Sequence, residues 1–437
     1  MKEAYNAAYL LLKYRRFSNL FSRALKIFKR YGLTSKRLEN RMNEYVDLMQ
    51  KYNCTPSFPI TAQVLNRHPK LIERYLTTGI EFAIHGCRHL DYTQLLYQTK
   101  IEDFENAIDI FKHRNVPFSG FRCPYLKWDD ELLTILSDSS FCWDSSQTVI
   151  WDCIKREDFN NEKWKNYEKI LAQYKPYQTQ DCCVRPKLKN NLVEIPVSLP
   201  DDDILIDRLG IKNQATITTI WNKILEQTYK QGDLFTLQLH PERIHLCKKA
   251  LESILTSAAE FDPPIWIASL TEIANWWREK RNFGLEIIEQ QKNKYQIKAI
   301  CSARATILVK NDRANQLQKD FFGGYKIIND NVFLIESTTK PVVGISDNCS
   351  TALFDFLKEE GIPFEITDNK YEYGIYLENI VNFSEQNGEE VLDVINQSST
   401  PLVRFWRWPG KTKSALSITG DIDAVTSIDY LMRLFGR

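Results

Sequence analysis

The run Ser414-Ala-Leu-Ser-Ile-Thr-Gly-Asp421-Ile-Asp423 limits the folds open to this chain more than any other stretch of it. An apolar, β-branched run that ends abruptly in two carboxylates predicts a buried strand delivering charge to its C-terminal mouth. In parallel α/β folds that mouth is where chemistry sits. Such a strand needs neighbours on both sides and helices over it, yet only 14 residues follow Asp423. Its partners must come from earlier in the chain.

The earlier chain offers them in order. Residues 18–52 carry apolar side chains at helical spacing (Leu20, Ala24, Ile27, Phe28, then Leu38, Met42, Val46, Met49). Strands are predicted at Cys54-Thr-Pro-Ser-Phe-Pro-Ile-Thr, at residues 80–84 and 117–121, at Phe141-Cys-Trp-Asp144, at residues 192–199 and 234–239, and at Ile265-Trp-Ile-Ala. Helices fall between them near residues 71–76, 104–111, 131–136 and 270–277. Residues 152–190, charged, aromatic and Pro-containing, read as a long connection. Strands alternating with helices at this spacing mean parallel β/α units, and polar groups recurring at strand ends are the habit of a barrel's catalytic face.

After Asn282 the texture changes. Residues 283–400 show short strand-like runs at Tyr295-Gln-Ile-Lys-Ala-Ile, Ala305-Thr-Ile-Leu-Val and Asn331-Val-Phe-Leu-Ile, a β-α-β passage from Val342 to Phe364, and a helix near Glu390, with no cluster of candidate ligands. The expected organisation is a main barrel portion over residues 1–282, a small accessory α/β module over 283–400, and a C-terminal segment, 401–437, that completes the barrel with the carboxylate strand.

Composition narrows the function classes. With 57 Lys+Arg against 56 Asp+Glu the net charge is +1, so no global field points to nucleic acid or an anionic membrane. No apolar run approaches the roughly 18 residues of a membrane span. The N-terminus carries an early acid and no small-residue cleavage site, and it reads as a helix rather than a signal peptide. Ten cysteines without regular spacing, Cys182 and Cys183 adjacent, fit reduced thiols and favour the cytoplasm.

Four features could carry chemistry. His85-Gly-Cys-Arg-His89 places two imidazoles four apart directly after a buried strand, a pair that can present nitrogens to one divalent ion. Its bland alternative is a pair of surface or capping residues. Cys87 could replace either ligand, although at i+2 it points elsewhere on a helical turn. Asp421 and Asp423 could equally be a helix cap and a solvated acid. His240 closes the apolar run Leu234-Phe-Thr-Leu-Gln-Leu, where a hydrogen-bonded edge residue is the alternative, and Arg122 before Pro124-Tyr125 could be a surface salt bridge.

Taken together these features match one ordered pattern. Ile-His85-Gly-x-x-His89, Gly-Phe-Arg122-x-Pro-Tyr125, Trp-Asp-Ser-Ser, Val-Glu-Ile-Pro-Val-Ser with an acidic cluster, Leu-Gln-Leu-His240-Pro and Ile-Trp-Ile-Ala-Ser-Leu-Thr-Glu-Ile resemble the NodB-homology polysaccharide deacetylases, carbohydrate esterase family 4. The resemblance covers residues 50–280 or so. That family opens with a strand ending in an Asp pair, which is absent before residue 50; Ser417-Ile-Thr-Gly-Asp421-Ile-Asp423-Ala is similar to it at the other end of the chain. The resemblance therefore implies a distorted, circularly permuted (β/α) barrel whose final strand slots in first, beside residues 54–60, an arrangement that neighbouring surface termini tolerate.

By the same resemblance, Asp423, His85 and His89 are expected to hold a divalent metal, usually zinc. Asp421 is expected to act as general base held by Arg122, and His240 as general acid oriented by Asp202 of the acidic cluster. The backbone N–H of Tyr125 is the expected oxyanion donor. The implied activity is metal-dependent removal of acetyl groups from a sugar or polysaccharide. Hydrolysis of another non-peptide C–N bond, allantoinase-like or deformylase-like, is the rival within enzymes, and a non-catalytic carbohydrate-binding relative is the rival outside them. Gly86 departs from the Ser or Thr common after the first histidine. The permuted order leaves open whether the last strand docks in its own barrel or in that of a partner, as in a swapped homodimer.

Overall fold

A computed structural model describes residues 25–180, 183–311, 320–384 and 387–434. Expectations for the N-terminal helix, and for residues 18–24, lie outside the described residues. The predicted helical stretch continues as residues 25–31, breaks at Gly32 (φ +73°) and resumes over Lys36–Lys51. The second helix buries Leu38, Met42, Tyr45, Val46 and Met49, a stripe spaced by three and four residues that faces the sheet.

The sheet that this stripe covers is mixed but mainly parallel. Ser57–Ile60 pairs in parallel with Glu81–Ile84 from Ser57 opposite Glu81 to Ile60 opposite Ile84. Pairing continues through Gly120–Phe121 and Trp143–Asp144 to Leu192–Glu194. On its other side Ser57–Ile60 meets Ser414–Gly420. That last strand runs parallel to Leu234–Leu239 along its whole length, from Ala415 opposite Leu234 to Gly420 opposite Leu239, and its first residues also pair with Ile265–Ile267.

One predicted strand is in fact two. Leu192–Glu194 and Val197–Leu199 flank Ile195-Pro196, and proline, lacking an N–H, cannot continue a central ladder. The first half pairs with Trp143–Asp144 and the second with Thr148–Ile150 and Leu234–Leu239, so one bent stretch serves both arms and the sheet curls into a half-barrel. The fold is a mixed α/β architecture with this curled sheet at its centre.

The C-terminal strand occupies the middle of that sheet within its own chain. All seven residues of Ser414–Gly420 are buried. The fit is tight at its end, where a Cβ on Gly420 would stand 2.0 Å from a ring carbon of Phe58, so only glycine passes there. Tyr45 donates its hydroxyl to the Thr419 carbonyl at 3.0 Å and ties the covering helix to the strand.

Residues 152–190 differ from the expected connection. They contain the helix Asn161–Tyr174, capped by the Asn160 side chain and burying Tyr167, Ile170 and Tyr174. Its charged outer face hid a narrow apolar stripe. Beyond Asn282 three small sheets form: Gly284–Gln291, Lys294–Ile300 and Val332–Glu336; Ile307–Lys310, Tyr325–Ile328 and Leu402–Phe405; and a parallel trio, Val343–Ile345, Phe364–Ile366 and Tyr376–Leu377. The first of these strands was not predicted, because its one-sided, largely polar sequence lacks a clear alternation.

The first of these sheets packs on the second through Ile297, Ile335, Ile307 and Phe405, and the second and third share an apolar core with the helix Leu270–Lys280, through Trp276, Trp277, Trp406 and Trp408. Beside it the buried carboxylate of Glu360 receives Arg404 Nη2 at 2.7 Å and Arg407 Nη2 at 2.8 Å, and lies 2.7 Å from Arg185 Nε. Every cysteine among the described residues is a free thiol. No helix among them is long and apolar enough to cross a membrane.

Candidate active site

The strand Glu81–Ile84 runs directly into His85, and Gly86 then turns the chain at φ +77°. A Cβ on Gly86 would meet the Arg88 carbonyl and the Tyr92 hydroxyl at 2.8 Å, so the serine or threonine of the resembled motif has no room in this loop. Asp103, buried on the helix Tyr97–His113, holds the loop by accepting the Cys87 N–H at 2.8 Å and the Tyr92 hydroxyl at 2.5 Å. The result brings the His85 and His89 rings to 5.1 Å, edge to face.

Asp423 joins them from the far end of the chain. Its Oδ1 lies 3.3 Å from His85 Nε2 and 3.2 Å from His89 Nε2, and all three potential ligand atoms fall within 4.8 Å of one another. His85 Nδ1 sits 2.7 Å from the Arg122 carbonyl, which can only accept, so Nδ1 carries a proton and Nε2 is the nitrogen turned towards Asp423. Burial, with help from the Arg433 charge, pushes His89 down to about 4 against the pull of Asp423, which keeps its ring neutral. Asp423 Oδ1 is itself buried and accepts no hydrogen bond. Two imidazole nitrogens and an unbonded carboxylate oxygen at one point form a donor set that fits a divalent cation. Cys87 does not join it; its sulfur turns towards Gln63 Nε2 at 3.7 Å.

Asp421 stands beside this set. Its backbone N–H bonds the Leu239 carbonyl at 2.9 Å, while its carboxylate is clamped by Arg122 Nη1 at 2.9 Å and Gln238 Nε2 at 3.0 Å. Asp421 Oδ2 is 4.0 Å from His85 Nε2. Arg122 is fully buried rather than a surface ion pair, and its remaining donors go to the Ser145 carbonyl (2.9 Å), Ser145 Oγ (2.8 Å) and Thr419 Oγ1 (2.7 Å). Sequence reasoning missed Gln238, yet it precedes His240 by two and so belongs to the same face of its strand.

His240 lies against Asp202. The imidazole Nδ1 lies 2.7 Å from Asp202 Oδ1, and the His240 N–H donates to Oδ2 at 2.8 Å. Burial alone would lower the His240 pKa, but the charge and hydrogen bond of Asp202 outweigh it and raise it well above the usual value. Of the three consecutive acids only Asp202 turns this way. Asp201 caps Ile204 N–H at 2.9 Å, and Asp203 pairs with Arg208 and Arg243 at 2.9 and 2.8 Å. Tyr125 adopts the left-handed φ of +61°, uncommon for an aromatic residue, and sets its ring edge-on to His89 at 4.3 Å.

His85, His89, Tyr125, His240, Asp421 and Asp423 line one cavity of about 270 Å³. Arg433, Glu242, Tyr31 and Arg30, also in its lining, carried no sequence signal. Arg433, on the final helix Ser427–Leu434, bonds Asp423 Oδ2 at 2.5 Å. Glu242, buried, accepts the Tyr31 hydroxyl at 3.2 Å and faces Arg30 Nε at 3.3 Å.

Residues 23–141 match the sequence profile of the family described as polysaccharide deacetylase. No curated protein matches the chain. Among solved structures, an assigned polysaccharide deacetylase from Mycobacterium smegmatis aligns at 20% identity and a TM-score of 0.43, over 54% of this chain and 76% of that one. The PuuE allantoinase aligns at 15% identity and 0.43, over 55% and 72%. The peptidoglycan deacetylase PdaC from Bacillus subtilis aligns at 16% identity and 0.32, over 55% and 86%.

Proposed function

We propose, for a chain whose residues 23–141 match the polysaccharide deacetylase family profile, a metal-dependent hydrolase that removes N- or O-acetyl groups from a sugar or polysaccharide. The observation that carries the reading is the convergence of Asp423 Oδ1 with the Nε2 atoms of His85 and His89, next to the clamped carboxylate of Asp421. In this reading Asp423, His85 and His89 hold the ion. When bound, a divalent ion polarises the acyl carbonyl and makes water a better nucleophile near neutral pH.

The chain's own groups do the rest. Asp421 removes the proton from the attacking water, and Arg122 and Gln238 hold its carboxylate in place while it does so. The Tyr125 N–H donates to the carbonyl oxygen as negative charge develops there, an interaction whose loss typically costs roughly 100-fold or more in rate. An amine leaves poorly unless protonated. His240, kept charged by Asp202, is placed to protonate it.

The chain order fits a circular permutation, with the opening Asp-x-Asp strand moved to the C-terminus. In that division residues 1–282 and 401–437 build the barrel and 283–400 form an accessory module; pairing of Leu402–Phe405 with Ile307–Lys310 favours a boundary a few residues later.

The test is acetate release from an N-acetylated amino-sugar substrate by zinc-loaded protein, repeated with chelator. Asp421→Asn is expected to abolish turnover and retain the metal, and His85→Ala to lose both. A fully active Asp421→Asn variant would refute the base assignment. Absence of acetate under all conditions would favour a binding protein.

A further inference from the structure

Both ends of the described chain wall the cavity over the histidines. Residues 25–31 bring Arg30 and Tyr31 to one side, and the helix Ser427–Leu434 brings Tyr430 and Arg433 to the next. The two segments are joined. The Ser427 N–H bonds the Gly32 carbonyl at 2.8 Å, and the Tyr31 and Tyr430 rings stand 5.4 Å apart.

They are also anchored to the barrel. Arg30 Nη2 bonds Asp207 at 2.9 Å, the Tyr31 hydroxyl bonds Glu242, and Arg433 lies over the Tyr125 ring at 5.1 Å while holding Asp423. Tyr31 and Glu242 are only 2% and 3% exposed, so this wall is packed rather than draped. The cavity that it borders, about 270 Å³, lies just under the roughly 300–1,000 Å³ of pockets that take a whole small molecule.

An interior unit of a polymer reaches a catalytic centre only through a groove open at both ends, because the chain must continue on either side of the reacting residue. The two braced segments fill the space on their side of the histidines, where a chain continuing past the reacting unit would have to run. The cavity lining suits a sugar, with Tyr125 and Tyr430 offering ring faces and edges between charged groups. Resting on the deacetylase reading above, we infer that the substrate is a small N-acylated amino sugar of one or two units that enters end-on, not the interior of a polysaccharide.

The experiment compares acetate release by the zinc-loaded full chain from N-acetylglucosamine, its β1,4-linked dimer and a soluble N-acetylated polymer of the same sugar. Per acetyl group, kcat/KM on the monomer or dimer is expected to exceed that on the polymer by about tenfold or more. Tyr430→Ala and, separately, Arg30→Ala should raise the polymer-to-dimer ratio by opening the wall. Preference for the polymer in the unaltered protein, or a ratio unmoved in both variants, overturns the inference and leaves the deacetylase reading standing. Acetate from none of the three overturns that reading, and the inference falls with it.

Discussion

Arg433 bonds one oxygen of Asp423 and leaves the other turned towards two imidazoles. Groups that orient a ligating side chain typically change metal affinity by about 10–100-fold when removed. Arg433→Ala is therefore expected to weaken zinc retention by about tenfold or more in a competition titration, and unchanged affinity would remove Arg433 from the site. His240 carries a pH prediction. Its folded pKa is raised, so its favourable contact with Asp202 is complete below the ordinary histidine value and is lost only as pH rises through the elevated one. The acidic groups facing it are Asp202, Glu242 and Asp423, with Arg243 the adjacent cation. Asp202→Asn removes the main raising charge, and the alkaline limb of kcat/KM is expected to move to lower pH; a limb that stays put would mean another group sets it. Histidine and aspartate identities were legible as candidates because such types at strand ends are few. Arg433 and Glu242 were not, because an arginine or glutamate on a helix looks the same in sequence whether it meets solvent or a ligand.

Elements divide according to how local their signals are. The strands ending at His85, His240 and Asp421 announce themselves by apolar runs that stop at a polar residue, and each is present. The helix Asn161–Tyr174 was hidden because its buried residues are two tyrosines and an isoleucine among charges, a composition shared with loops. The turn after His85 makes a sharper case. Gly86 sits at φ +77° with no space for a Cβ, so Gly86→Ser restores the side chain common in the resembled motif yet strains this loop. The expected cost is about 1–3 kcal/mol in denaturant unfolding, with weaker metal binding, since the loop spaces the two histidines. A neutral effect would show that the loop relaxes freely. The sequence could register the departure at Gly86, but only the backbone angle explains it.

At the scale of the molecule, the barrel and the small sheets beyond Asn282 are linked through buried charge. Burial would raise the Glu360 pKa, but Arg407, Arg185 and Arg404 overcome it and hold the carboxylate at about 2. Its contribution to stability is thus present above the ordinary glutamate value near 4.5 and lost as pH falls through about 2. Glu360→Gln leaves three buried cations underneutralised and is expected to cost about 3–5 kcal/mol at neutral pH, read as a lowered Tm; a Tm within a degree of the parent would mean the cluster is inert. The chain's own pattern determined the alternation of strands and helices, the polar strand ends and the candidate ligands, because periodicity and composition act over a few residues. Family resemblance led to the expectation of the final strand beside residues 54–60 with Asp423 near the two histidines, whereas only the tertiary structure decided its other neighbour, Leu234–Leu239, and the register that sets Asp423 Oδ1 within 3.3 Å of both imidazoles. The reason is physical: a strand's apolar faces and ladder groups fit many neighbours, and only the packing of all of them at once selects which ones it has.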